Sequence, residues 1–165
     1  MIVTRSGSAI KTLEDIKGRS FAFGDPHSTS SHIVPRAMLL SAGVDVKDLL
    51  YHNYLGHHDD VAKAVLAGDF DAGGIMESTA YAFEEKGLEL LKISDDIPEF
   101  NICVSRDIDP VLMAELREAL VGIHDGTPEG EGILKSINKS YTGFCEASDE
   151  DYEGIRTMMS TIGLI

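Results

Sequence analysis

Four consecutive small hydroxyl residues, Ser28, Thr29, Ser30 and Ser31, lie in the stretch "FAFGDPHSTSSHIVPRAMLLSAG", between a strand-like run and a helix-like one. A helix starting there offers unpaired backbone N–H groups and the positive end of its macrodipole, and small hydroxyl residues let an anion come close. The same residues could equally cap the helix and decorate its turn. A second stretch, "YLGHHDDVAKAVLAGDFDAGGIMES", places His57, His58 and Asp59 after another strand. An imidazole donates hydrogen bonds to an anion's oxygens, and a nearby anion raises its proton affinity. Asp59 reads as the cap of the helix that follows. The next strand ends at Met76, Glu77 and Ser78, adding a carboxylate and a hydroxyl.

These side chains cooperate only if strand ends bring them to one edge. Runs rich in β-branched and aromatic residues predict strands over Ile2 to Thr4, Ser20 to Phe23, Tyr51 to Leu55, Ala72 to Met76, Leu88 to Ile93 and Ile102 to Val104. Helical patterns fall between them, over Leu13 to Lys17, Ile33 to Ala42, Val61 to Ala67 and Thr79 to Glu85. Such alternation implies an α/β fold with a largely parallel sheet flanked by helices. Ligand sites in open sheets of this kind collect at the carboxyl ends of strands. Pro35, placed in the first turn of the helix from Ile33, forfeits no hydrogen bond there. From Asp109-Pro110 onward the chain turns helical, with Val111, Leu112, Leu116, Ala119, Leu120 and Ile123 close to helical spacing. A last helix follows Ser148 or Asp149, its apolar side carrying Tyr152, Ile155, Met158, Met159 and Ile162, and "DGTPEGEG" reads as a loop. Met158 and Met159 mark a core or helix interface.

The 165 residues suffice for one domain or two small ones. Fourteen Lys and Arg against 28 Asp and Glu give a formal charge of −14, which opposes nucleic-acid and anionic-membrane binding. An anionic ligand must therefore be caught by a local site. No run of 18 apolar residues predicts a membrane span, and the start lacks the pattern of a secretory signal. Cys103 and Cys145 leave the redox compartment open.

"LEDIKGRSFAFGDPHSTSSHIVPRAML", then "LGHHDDVAKAVLAGDFDAGGI" and "ISDDIPEFNICVSRDID", together resemble the phosphate/phosphonate-binding (PhnD-like) proteins of ABC importers, which have the type 2 periplasmic binding fold. The similarity runs from about Ile10 to Asp109 and rests on the order of the motifs. It implies a bilobal extracytoplasmic protein that closes on a phosphonate, phosphate or similar tetrahedral oxyanion and hands it to an ABC permease. Carried over by motif, Ser28, Thr29 and Ser30 hold the anion, and His58 adds a donor from the next loop. Glu77 meets the ligand's organic end. Ser31 and His57 stand where family members commonly have Gly and Ser, so the pocket is expected to be narrower or to gain a donor. Glu99 and Phe100 replace an acid found in some aminophosphonate binders, which disfavours an amino-bearing ligand.

Family members are usually much longer than this chain. By analogy, residues 1–9 form an inter-lobe crossing strand, 10–93 a ligand-binding lobe, and 94–165 a return crossing with a helical part of the other lobe. A lobe short of core implies a fragment or a homodimer that covers the gap. The same fold also serves as the sensory domain of signalling receptors and regulators, the alternative function. No catalytic residue, metal or cofactor is expected. There is no Gly-x-Ser-x-Gly elbow and no Lys-[Ser/Thr] after "GDFDAGG". The clustered histidines lack three converging ligands, although His32 or His58 with Asp25 or Asp59 would be the best start of a metal site.

Overall fold

The short β-branched and aromatic runs pair into one five-stranded sheet. In the computed structural model, which describes residues 1–165, its members are β1 (Ile2–Arg5), β2 (Ser20–Phe23), β3 (Tyr51–Tyr54), β4 (Ala72–Gly74) and β5 (Leu88–Lys92), in the order β3-β2-β4-β1-β5. β2 is parallel to β3 and β4, whereas β1 is antiparallel to β4 and β5. Four strands thus point one way and β1 is reversed, so the sheet expected to be largely parallel is mixed. The helices α1 (Val34–Ser41), α2 (His58–Ala67) and α3 (Glu77–Glu84) each connect successive strands, and such crossovers force a common direction. Between β1 and β2 lies only a short 3-10 turn, Glu14–Ile16, which imposes none.

Side chains alternate across the sheet with period two. Val3 and Ala22 join Val61, Val65, Ile75 and Phe83 beneath α2 and α3. Ile2, Phe21 and Phe23 join Ile16, Leu39 and Val44 on the α1 face. Each large apolar side chain buried in this way contributes about 1.5–3 kcal/mol.

Two compact units result, one of Met1–Ile97 with Tyr152–Ile165, the other of Pro98–Asp151. The lobe expected over 10–93 is therefore larger at both ends. β1 is a member of its sheet, with Ile2 and Val3 fully buried. The last helix, α6 (Glu153–Thr161), was expected in the other lobe, yet it packs on the first. Ile162, Met158 and Met159 cover Ile33, Ala37 and Leu40, which bears out the helix-interface reading of the two methionines.

The second unit holds α4 (Pro110–Val121) and α5 (Pro128–Ile137). Asp109 caps α4, its carboxylate accepting from the N–H groups of Val111 and Leu112 at 2.9 and 3.1 Å, and Pro110 opens the helix as expected. The stretch read as the loop "DGTPEGEG" instead starts α5. Thr127 accepts from Gly130 N–H at 3.1 Å and Pro128 fixes the first turn, signals that outweigh the glycines. Ile102 to Val104 form no strand and lie exposed. No helix is long and apolar enough to cross a membrane.

Candidate functional site

Because β2, β3 and β4 are parallel and β2 lies between the other two, their carboxyl ends share one edge. Backbone bonds stitch the loops leaving that edge. Leu55 N–H donates to Phe23 O at 2.9 Å, Gly56 N–H to Gly24 O at 3.3 Å, and Gly24 N–H to Ser31 O at 3.2 Å. Gly56 turns with φ +84°, a conformation that favours glycine.

The helix after β2 begins four residues earlier than the pattern predicts, as a π-helical turn over Thr29–Ile33 that feeds α1. Pro35 explains the irregularity: it has no N–H for the carbonyl of Ser31, one turn back, and its ring crowds that position. The freed Ser31 carbonyl accepts Gly24 N–H instead. Pro35 thus lies in the first turn of α1, as expected, with the π-helical turn running directly into it. π-helical turns occur often at functional sites. Gly74 of β4 admits this packing, since a Cβ there would meet the Pro35 ring at 2.6 Å and Ser31 O at 3.1 Å.

Ser28 is the cap, its hydroxyl accepting from Ser31 N–H at 3.2 Å, while Thr29 and Ser30 begin the helical run with first-turn amides that the helix itself cannot pair. Ser28, Thr29 and Ser30 are half-buried. Ser31 is fully buried, and its Oγ has no hydrogen-bond partner. Buried polar groups are nearly always paired. It rests in the crevice beside Gly24, where an added Cβ would lie 2.2 Å from Ser31 Oγ and 3.4 Å from Gly56 O.

His58 is half-buried and occupies the first position of α2, whose cap residue is His57. Asp59, expected as the cap, lies inside the first turn, where its charge favours the helix dipole. His58 Nδ1 accepts the N–H of Met76, the cap residue of α3, at 3.1 Å. A backbone N–H only donates, so Nδ1 is unprotonated and the ring proton sits on Nε2 as a donor. Burial holds the His58 pKa below its usual value; the Met1 amino group and His57 add to that effect and Asp59 opposes it. Glu77 is exposed at the first position of α3 rather than at the end of β4. Glu77 lies beside Tyr81, one turn on, and pushes the pKa of that hydroxyl up.

His32 is buried with both ring nitrogens engaged, Nδ1 to Pro26 O at 2.6 Å and Nε2 to the Tyr54 hydroxyl at 2.9 Å. That leaves it no lone pair for a metal, and no group of three or more His, Cys, Asp or Glu is placed to hold one. A small hollow of about 50 Å³, open to solvent, lies elsewhere, lined by Arg36, Leu40, Asp45 and Thr161. Sequence reasoning missed the fit of Gly24 and Gly74 against the π-helical turn and the Met76 N–H that orients His58. Glycines at two adjacent strand ends, facing a Ser/Thr run, were the available signal.

Residues 1–152 match the family model described as "ABC transporter, phosphonate, periplasmic substrate-binding protein". The chain belongs to that family. Among relatives of this phosphonate-binding family, the probable ABC transporter phosphite binding protein PhnD1 of Prochlorococcus marinus is 37% identical over 160 residues, covering 90% of this chain and 53% of its own length. The phosphate-import protein PhnD of Mycolicibacterium smegmatis is 25% identical, over 93% of this chain and 54% of its own. The chain spans about half the length of the curated relatives it matches. Among solved structures, P. marinus PhnD1 in complex with methylphosphonate superposes with a TM-score of 0.84 at 24% identity, over 99% of this chain and 66% of that one. A binding component of an ABC phosphonate transporter from Pseudomonas aeruginosa gives 0.75 at 20% identity, over 98% and 56%. At these identities the structures speak to the fold, which is that of the type 2 periplasmic binding proteins.

Proposed function

We propose that this chain supplies the anion-gripping lobe of an extracytoplasmic solute-binding protein, which delivers a phosphonate, phosphate or similar tetrahedral oxyanion to an ABC permease. The observation that carries this reading is the convergence of three helix starts on one sheet edge, where Ser28, Thr29 and Ser30 are only half-buried and His58 offers an Nε2 proton. First-turn amides of Thr29 and Ser30 take two oxygens and the hydroxyls reach the others. The partnerless Ser31 hydroxyl supports a donor just beneath them. Glu77 borders the site and meets the ligand's organic end. Names of the relatives, phosphate import, phosphite binding and a methylphosphonate complex, favour one class of tetrahedral phosphorus oxyanion. The same family match favours import over sensing and binding over catalysis.

With a formal charge of −14 the chain repels its ligand at long range, so affinity must come from short contacts at the helix starts. Exposed Val111, Leu112 and Leu116 on α4 support cover by another polypeptide, a second copy of this chain in our reading. Sedimentation velocity tests that point, a concentration-independent monomer counting against it. For the site, Thr29→Val combined with His58→Ala is expected to abolish methylphosphonate and phosphate binding in calorimetry while leaving the circular dichroism spectrum unchanged. Unaltered affinity rejects the assignment.

A further inference from the structure

The oxyanion reading uses His58 and leaves His32 aside, yet His32 is the more completely enclosed of the two. Its ring lies edge-on to Phe23 and Tyr54, with centroids 5.3 and 4.9 Å away. The Pro26 carbonyl can only accept, so Nδ1 carries the proton and donates to it at 2.6 Å. Nε2 is then a lone pair, and the Tyr54 hydroxyl donates to it at 2.9 Å. Tyr54 belongs to β3, at the strand end next to β2, and stacks on Phe23 with centroids 5.5 Å apart. Pro26 lies in the turn that delivers Ser28 to its cap position. One imidazole therefore ties that turn to the end of the neighbouring strand.

We infer that His32 and Tyr54 form a positioning pair for the oxyanion site: the Tyr54–His32–Pro26 chain of hydrogen bonds fixes the turn before Ser28, and thereby the direction of the Thr29 and Ser30 amides. The inference rests on the oxyanion reading and adds to it a pair of residues that do not touch the ligand. A carbonyl-bound, uncharged imidazole suits that task. Burial, and then Arg36, His27 and His52, keep its pKa low, against the Pro26 hydrogen bond that raises it. The nearby Tyr54 is itself pushed up by burial.

The test compares the parent chain with Tyr54→Phe, His32→Asn, His32→Phe and Thr29→Val, measuring the methylphosphonate Kd by calorimetry and the melting temperature without ligand. Tyr54→Phe deletes one hydrogen bond at almost constant volume and is expected to weaken binding about three- to tenfold. His32→Asn keeps a donor for Pro26 and is expected to bind more tightly than His32→Phe, a rescue that filling space alone does not give. Nitrogen-15 NMR of the parent should show His32 as the Nδ1–H tautomer. A purely structural role lowers the melting temperatures and leaves the Kd of every folded His32 and Tyr54 variant at the parental value, which overturns the inference. If Thr29→Val also binds like the parent, or the parent does not bind at all, the oxyanion reading falls and this one with it. If Thr29→Val abolishes binding while Tyr54→Phe and His32→Asn do not alter it, only the positioning pair is refuted.

Discussion

Gly24→Ala probes the packing that places the helix start against the sheet edge. An alanine Cβ at that position would lie 2.2 Å from Ser31 Oγ and 2.7 Å from Ser31 Cβ. Non-bonded carbons prefer about 3.5–4.0 Å, so roughly 1 Å must be found. Rotation of the Ser31 side chain relieves the first contact but not the second, because Cβ is fixed to the backbone. Neither can residue 24 recoil freely, since its N–H is bound to Ser31 O at 3.2 Å and its carbonyl to Gly56 N–H at 3.3 Å. Overpacking of this kind costs about 1–3 kcal/mol. In a chain of this size each kcal/mol lowers the melting temperature by about 2–4 °C, so a fall of roughly 2–12 °C is expected in scanning calorimetry. The strain pushes on the π-helical turn, so methylphosphonate affinity should fall as well. Ser31→Gly removes both clashing atoms, and the double variant should recover most of the loss, giving a coupling of about 1 kcal/mol or more. Parental melting by Gly24→Ala, or strictly additive variants, would refute the reasoning.

Three further outcomes follow from the same geometry. Ser31→Ala removes a buried hydroxyl that lacks a partner, a group whose burial costs about 1–3 kcal/mol, so the ligand-free melting temperature should hold or rise while oxyanion affinity falls. A drop of several degrees without ligand would show that the hydroxyl is already bonded. Acidification should destabilise the fold in the range where histidines titrate. Both His32 and His58 have pKa values lowered from 6.5, so the unfolded chain binds more protons, and their contribution is full above pH 6.5 and lost as pH falls through the lower folded values. Thermal melts at stepped pH check this, and a flat profile from pH 7.5 to about 5 contradicts it. His58→Gln should flatten part of that slope and, by losing the oriented Nε2–H, weaken binding by about tenfold.

Much of the α/β architecture was legible, because period-two runs such as Phe21-Ala22-Phe23 and the Asp109-Pro110 helix start depend on local chemistry. The hydroxyl run at a helix start was legible for the same reason. Direction was not: a four-residue strand such as β1 shows which faces it buries but not which way it runs. The start of the helix at Thr29 was hidden because it depends on a carbonyl freed by Pro35 and taken up by Gly24, seven positions before Ser31. The sequence pattern puts His58 in a loop and Glu77 at a strand end, whereas each is the first residue of a helix, their caps His57 and Met76 making no side-chain bond that a pattern would reveal. Likewise the return of α6 to the first unit depends on Ile33 and Ala37, far away in sequence.

The central claim, that amides at the start of the Thr29 helix and the His58 imidazole receive a tetrahedral phosphorus oxyanion, is tested most directly by NMR. Nitrogen-15-labelled chain would be titrated with methylphosphonate. Saturable shifts centred on the amides of Ser28 to Ser31, on His58 and on Met76 and Glu77 are expected, with little change along α5. Shifts centred on the hollow beside Arg36 and Asp45, or none that saturate, would contradict the account.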